Sequence, residues 1–339
     1  RDRSPSRGLG DVYKRQVMRK ALVIGINQYP RAPLKGCVND AEEVAGLLQK
    51  HGNGNPDFDV RRMLDPQKRA EVLTGIQDLF KGDEEVALLY FSGHGYINAY
   101  GGNIVMPDCV EDDYHMGIAM KDIMTIVNKS KVKNKIVILD CCHAGNIGDT
   151  EHEDYAQLKS GVSILTACRK DEYALEMGGH GLFTELLCEG LRGGAADFNG
   201  NISIGSVYAY IDKSLDCWTQ RPIFKTNVSE FVSLRNVIPK VSIDVIRKIT
   251  EFFKESSELL QLDPSFEFTN SPDYKCESIR PYAVKENVEK FKLLQQLQSI
   301  GFVEPCDEKY MYFAAMNSKK CRLTSVGRYY WRLVKNGRI

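Results

Sequence analysis

A thiol and an imidazole stand where two apolar runs end, and this pairing of residue types is the best suited in the chain to covalent chemistry. Ile136-Val137-Ile138-Leu139-Asp140-Cys141-Cys142-His143-Ala144-Gly145 reads as a buried strand that stops on an acid and exposes a thiol. Val86-Ala87-Leu88-Leu89-Tyr90-Phe91-Ser92 runs in the same way into Gly93-His94-Gly95. A thiol with its ordinary pKa of about 8.5 is a weak nucleophile until a nearby imidazole favours the thiolate, and the same imidazole can then protonate a leaving amine. Acyl transfer also needs donors aimed at the developing oxyanion. The backbone N–H groups of Gly95 and Cys142 are the candidates, Gly95 because no side chain blocks approach to it. Adjacent residues of an extended segment point to opposite faces, so only one of Cys141 and Cys142 can meet His94. A zinc centre from Cys109, Cys141, Cys142 and His143 is the competing chemistry. It is disfavoured because three consecutive residues do not readily converge tetrahedrally and the chain has no C-x-x-C pair.

The elements that must hold these groups alternate in type. Ala21–Ile26 is an apolar run without in/out alternation, as in a parallel strand covered on both faces. A helix follows over Asn39–Lys50, then a short strand Val60–Leu64, and Asp65-Pro66 offers an N-cap and first-turn proline for a helix through Phe80. Strand Val86–Ser92, helix Met120–Val127, strands Ile136–Leu139 and Val162–Thr166, helices Leu182–Leu191 and Ile204–Leu215 and a last strand Phe231–Leu234 complete the pattern. Such alternation specifies an α/β sandwich with a mostly parallel sheet, in which chemistry sits at the carboxyl ends of the strands. Both His94 and Cys142 fall at such ends. His115, His152 and His180 read as solvent-facing loop residues, and His51 suits a helix C-terminus.

Composition narrows the setting. The 339 residues are 43% hydrophobic, ample for a core, and 45 basic side chains balance 45 acidic ones, which argues against a chain-wide polyelectrolyte partner. No apolar run approaches the roughly 18 residues needed to cross a bilayer, so a membrane role is not expected. Ten irregularly spaced cysteines suggest reduced thiols and a cytoplasmic setting. Residues 1–17, basic and without periodicity, read as a non-native or disordered leader.

Several motifs in one order now resemble a known family: Gly25-Ile26-Asn27-Gln28-Tyr29, Leu34-Lys35-Gly36-Cys37-Val38-Asn39-Asp40-Ala41, Tyr90-Phe91-Ser92-Gly93-His94-Gly95 and Leu139-Asp140-Cys141-Cys142-His143-Ala144-Gly145. Leu165-Thr166-Ala167-Cys168, Ala174, Glu176 and Gly181-Leu182-Phe183-Thr184 extend the match. Together they resemble the caspase-fold peptidases, and the metacaspase branch more than the animal caspases, over about Lys20 to Val237. The histidine precedes the cysteine by 48 positions, close to the spacing of about 50 that caspases show. The resemblance implies a caspase-like three-layer sandwich and a cysteine endopeptidase with Cys142 as nucleophile and His94 as its base. In place of the animal Gln-Ala-Cys stands Asp-Cys-Cys, and in metacaspases the acids matching Asp140 and Asp40 line the first specificity pocket and select Arg or Lys. An acidic pocket pairs with a cationic side chain and repels aspartate.

Many metacaspases also use an aspartate cluster. Asp108 and Asp149 fall where two such ligands would lie, but the pair expected at the next helix start is Met120-Lys121 with only Asp122 near, and Asp112-Asp113 are substitutes from the loop. Calcium wants about six or more oxygens, so it stands as a candidate cofactor, with none required. The segment Asn146–Ser160 offers one basic residue, Lys159, for self-cleavage, and single-chain activity is the expectation. Relatives with appended modules resemble regulated effectors in bacterial immunity or cell death.

Past residue 238 the pattern changes. Residues 239–285 read as a helical and loop linker, with Val241–Leu262 as one long helix or two. Residues 286–339 resemble a winged helix: helix Asn287–Ser299, a turn at Gly301-Phe302-Val303, a hairpin-like pair Tyr310–Ala314 with Cys321–Leu323, and a helix start near Tyr329. Arg328, Arg332, Lys335 and Arg338 make that end basic, yet Gln295, Gln296 and Gln298 dominate the helix that would read bases, which favours a protein activator over DNA as its partner. A catalytically inactive scaffold and a DNA-binding regulator are the alternatives to a peptidase acting on protein substrates. The scaffold would be expected to have lost the thiol or the imidazole, and neither is lost.

Overall fold

Strands buried on both faces carry apolar residues without alternation, and the centre of this fold is built from such strands. In the computed structural model the residues described are 19–98, 101–109, 117–141, 149–150, 153–156, 158–167, 176–177, 180–215, 221–274 and 278–339. The chain divides into two compact units, Arg1–Ile238 and Pro239–Ile339.

The first unit contains a six-stranded sheet. Its strands are β1 (Arg19–Gly25), β2 (Asp59–Leu64), β3 (Val86–Ser92), β4 (Asn134–Asp140), β5 (Val162–Thr166) and β6 (Ile223–Asn227), in spatial order β6-β5-β4-β3-β1-β2. All neighbours are parallel except β5 and β6. Every residue of β3 and β5 is buried. Helices α1 (Cys37–Gln49), α4 (Leu182–Glu189) and α5 (Ile204–Ser214) cover one face through Ala41, Val44, Leu48, Phe183, Leu187, Val207 and Ile211. Helices α2 (Arg69–Leu79) and α3 (Met120–Lys129) cover the other through Val72, Ile76, Leu79, Ile123 and Val127. A fully buried aliphatic side chain of this kind contributes roughly 1.5–3 kcal/mol of transfer free energy, so the two apolar layers are what hold the strand ends in place. A small antiparallel sheet of Gly95–Asn98, Gly101–Ile104 and Ile118–Ala119 lies directly after β3 in sequence. This is a three-layer α/β sandwich.

Several local expectations are corrected. Asp65 does not cap α2. It sits at φ 48°, and its Oδ1 accepts from the backbone N–H groups of Asn27 (2.6 Å) and Gln28 (2.9 Å), tying the end of β2 to the loop after β1. The helix starts at Arg69, and its first N–H is received by the Asp108 carboxylate at 3.0 and 3.1 Å. The strand expected at Phe231–Leu234 is Ser233–Asn236, which pairs with Asn201–Ser203 outside the main sheet. The strand that closes the main sheet, β6, carries Lys225, Thr226 and Asn227; as an edge strand it needs no continuous apolar run, so the sequence reading passed over it.

In the second unit the stretch read as linker supplies structure. Of the one long helix or two expected, its residues form two short ones, Ile243–Arg247 and Ile249–Phe252, and then strand β7 (Leu259–Gln261). With β8 (Val303–Pro305) and β9 (Lys320–Leu323) it makes a three-stranded antiparallel sheet in the order β7-β9-β8. Helix α6 (Lys285–Ser299) precedes β8, and α8 (Ser325–Lys335) follows β9. The hairpin expected at Tyr310–Ala314 is helix α7 (Met311–Met316), because Met311, Ala314 and Ala315 are buried at helical spacing. Trp331 Nε1 donates to the Phe253 carbonyl at 2.7 Å, which binds α8 to the former linker. Among the described residues no helix is long and apolar enough to cross a membrane.

Candidate active site

The register of the two central strands decides what meets at the carboxyl edge. β3 and β4 pair in parallel with Ser92 opposite Asp140, and the Gly93 N–H donates to the Asp140 carbonyl at 3.3 Å. His94 lies two residues past Ser92, and Cys142 stands two residues past Asp140 in sequence. Cys142 itself is outside the described residues, as are His143, Asp112, Asp113, His115 and His152. Cys141 is described: it is 1% exposed and joins Val137 and Leu139 in the apolar layer under α2 and α3.

His94 is held from three directions. Its backbone N–H donates to the Tyr29 hydroxyl at 3.0 Å, and that hydroxyl donates to the Val105 carbonyl at 3.3 Å. The Tyr29 and His94 rings lie 4.5 Å apart at 59°. Gly93 makes this possible, since a Cβ there would sit 2.5 Å from the Tyr29 hydroxyl and 2.8 Å from the Phe91 ring. The ring Nε2 lies 2.7 Å from the Ala32 carbonyl. A carbonyl only accepts, so Nε2 carries the proton and Nδ1 is left as the basic nitrogen of the neutral ring. Beside it opens a pocket of about 560 Å³ lined by Tyr29, Arg31, Tyr96, Val105, Met106 and Gly95.

The two acids come together on the other side of the strand edge. Asp40, in the first turn of α1, is 1% exposed and Asp140, the last residue of β4, is 5% exposed. Both carboxylates surround Gly181: a Cβ there would lie 2.6 Å from Asp140 Oδ2 and 3.3 Å from Asp40 Oδ2. Gly181 N–H donates to Asp40 Oδ2 at 3.1 Å, with the Ser92 hydroxyl at 3.5 Å, and Thr184 Oγ1 donates to Asp140 Oδ2 at 2.6 Å. Thr184 has one proton and spends it on Asp140, so the buried Tyr90 hydroxyl, 2.6 Å away, must be the donor to Thr184. Burial raises the Asp40 carboxyl above its usual range, against the lowering effect of the Gly181 N–H and His180. Burial, reinforced by the negative charges of Asp140 and Asp40, pushes the Tyr90 hydroxyl well up. Two carboxylates thus meet at one spot of the strand edge, both buried and both hydrogen-bonded.

His180 corrects the sequence reading most. Expected in a solvent-facing loop, it places Nδ1 2.8 Å from Asp40 Oδ1 and 3.8 Å from Glu43 Oε2. Tyr90, Ser92, Thr184 and the Ala32 carbonyl were likewise not singled out as site groups. Tyr90, Ser92 and Thr184 belong to the motifs that carry the resemblance, whereas nothing local marks His180 or Ala32.

Gly95 begins the small sheet opposite Ile104, on the pocket wall next to His94. Asp108 is exposed, and both its oxygens receive the Arg69 N–H. Asp149 lies in the short strand Asp149–Thr150, its side chain outside the described set. Among the described residues no three His, Cys, Asp or Glu side chains gather as a metal ion would require, so the donors described do not form a calcium site around Asp108.

Comparison with known proteins gives a family match. A family model described as the caspase domain matches residues 18–232. Among solved structures, a structural-genomics target protein from Geobacter sulfurreducens superposes with a TM-score of 0.50 at 19% identity, over 65% of this chain and 97% of that one. The caspase-1 of Spodoptera frugiperda gives a TM-score of 0.49 at 13% identity, over 65% and 90%. No curated protein matches significantly.

Proposed function

Because this chain belongs to the caspase-domain family, we propose that it is a cysteine endopeptidase that cleaves protein substrates after arginine or lysine. The observation that carries this reading is the convergence of Asp40 and Asp140 around Gly181, at the strand edge that bears His94. In the proposed reaction the Cys142 thiol gives its proton to His94 Nδ1, the nitrogen left basic by the Nε2–H bond to Ala32. The thiolate attacks the carbonyl carbon of the scissile bond. The resulting oxyanion takes N–H donors from Gly95 and Cys142, and such donors contribute several kcal/mol to the transition state. His94 then returns the proton to the departing amine, the C–N bond breaks, and water, deprotonated by the same imidazole, hydrolyses the thioester. The substrate's basic side chain seats between Asp40 and Asp140, where both carboxylates can accept its charge-assisted hydrogen bonds.

Support for a soluble-substrate protease also comes from the open pocket beside His94, which gives a neighbouring substrate residue an apolar wall. Calcium dependence and recruitment of a protein activator by the second unit remain proposals attached to this one. The test is hydrolysis of fluorogenic peptides that differ only in the residue before the scissile bond, measured with and without calcium. Arginine and lysine peptides should be cut, aspartate peptides should not, and Cys142→Ala and His94→Ala should each remove the activity. Preference for aspartate, or activity retained by Cys142→Ala, overturns the assignment.

A further inference from the structure

The Asp40 carboxylate is closed to solvent, and one of the groups that closes it is a side chain. Its Oδ2 faces the Gly181 N–H and the Ser92 hydroxyl, and its Oδ1 faces His180 Nδ1 at 2.8 Å. The Asp40 side chain is 1% exposed while that of His180 is 37% exposed. A guanidinium or ammonium reaching Asp40 Oδ1 must therefore take the place of the imidazole. The displaced ring has somewhere to go. Glu43 lies one helical turn after Asp40 on α1, on the same face, and its Oε2 is already 3.8 Å from His180 Nδ1. Glu43 is itself fixed from its other side by Arg192, which also holds Glu189 at 2.7 Å.

From these contacts we infer that His180 is a built-in occupant of the cation pocket, a specificity latch that bonds Asp40 when no substrate is present and passes to Glu43 when a basic side chain enters. The inference rests on reading Asp40 and Asp140 as that pocket. Its consequence is selective. A side chain able to make charge-assisted bonds to Asp40 repays the lost imidazole bond, and a neutral side chain of similar length does not, so the latch raises the threshold for entry. Among the described residues His180 bonds the acids Asp40 and Glu43 and not His94, so it is expected to act on binding and leave the chemical step alone.

The experiment titrates the full chain with agmatine, a free guanidinium, at pH 7.5 and measures affinity for the wild type, His180→Ala and His180→Gln. Removing the competitor should tighten agmatine binding by about fivefold, the discounted worth of one partly exposed hydrogen bond to a carboxylate. Glutamine keeps an N–H donor within reach of Asp40 and should restore affinity close to the wild type. In the peptide assay the same His180→Ala change should lower KM for arginine peptides with kcat unchanged. In ¹⁵N spectra the wild-type His180 ring nitrogens should shift as agmatine binds. His180→Ala binding agmatine no more tightly than the wild type overturns the latch alone, and weaker binding would make His180 a positioning group for Asp40. Agmatine binding to none of the three proteins overturns the cation-pocket reading, and the latch falls with it.

Discussion

Gly181→Ala is the substitution that tests the acidic cradle most directly. The backbone at Gly181, φ −71° and ψ 131°, is open to any residue, so alanine adds a methyl group without backbone strain. That methyl would arrive 2.6 Å from Asp140 Oδ2, and van der Waals contact asks for roughly 3.3 Å or more. Asp140 must retreat by about 0.7 Å, which stretches the 2.6 Å bond from Thr184 to about 3.3 Å, outside the usual range for an O–H···O bond, and weakens it. Losing a hydrogen bond to a charged group costs about 1.5–3 kcal/mol, and the methyl also narrows the space between the two carboxylates. Expressed in kcat/KM for arginine peptides this is a fall of up to about a hundredfold. The fall should lie in KM, because the added methyl meets the Asp40 and Asp140 carboxylates and not His94. The Gly181 N–H to Asp40 remains, so cooperative unfolding should persist, with a midpoint lowered by no more than about 10 °C. Steady-state kinetics on arginine and lysine peptides, with thermal unfolding alongside, decide the matter. A folded Gly181→Ala protein with wild-type kcat/KM, or one that loses kcat at unchanged KM, would refute the geometry argued for the pocket.

Two further substitutions read the groups behind the site. Thr184→Val removes the donor to Asp140 and the acceptor of Tyr90 in a fully buried position; unfolding in urea should show a loss of about 2–4 kcal/mol, and Thr184→Ser should recover most of it, whereas equal stability of the valine protein would show the network to be idle. Asp57 stands apart from the site: it is buried, 2.7 Å from Arg19 Nη1 and 3.2 Å from His51 Nδ1, and burial raises its carboxyl to about 6 against the pull of Arg19 and Arg235. Its folded-state pKa exceeds the unfolded value, so the folded protein binds this proton more tightly, and the contribution to stability falls as pH rises from about 4 to about 6. Relative to Asp57→Asn, the wild type should lose about 2 kcal/mol of unfolding free energy between pH 4 and pH 7. A constant or opposite difference in urea unfolding would show that the burial of Asp57 is not what sets its titration.

What the sequence made legible were the features written locally. Val86–Ser92 and Val162–Thr166 are strands from end to end because each residue is apolar or small and buried on both faces. The carboxyl-edge position of His94 follows from the glycines around it. The pairing of Asp40 with Asp140 came from resemblance, since 100 residues separate them and no periodicity links them. The misses share a physical cause. Asp108 caps a helix that starts 39 residues earlier, and His180 bonds an acid 140 residues away. Long-range polar contacts of this kind leave no composition or spacing behind them.

The alternation of β4 joins the fold to the specificity. Along this strand Val137, Leu139 and Cys141 enter the apolar layer under α2 and α3, while Ile136 and Ile138 enter the layer that contains Ala41 and Val44 of α1. Asp140 follows the second set, so its carboxylate emerges on the side where the first turn of α1 carries Asp40. A one-residue slip against β3 would exchange the faces, placing a carboxylate among aliphatic side chains and the Cys141 thiol beside Asp40. Isolated burial of that charge costs several kcal/mol, comparable to the whole stability margin of a domain. The register that satisfies the core therefore also delivers Asp140 to Gly181, and a single Cys141→Asp exchange would put an acid in the apolar layer without creating a second pocket.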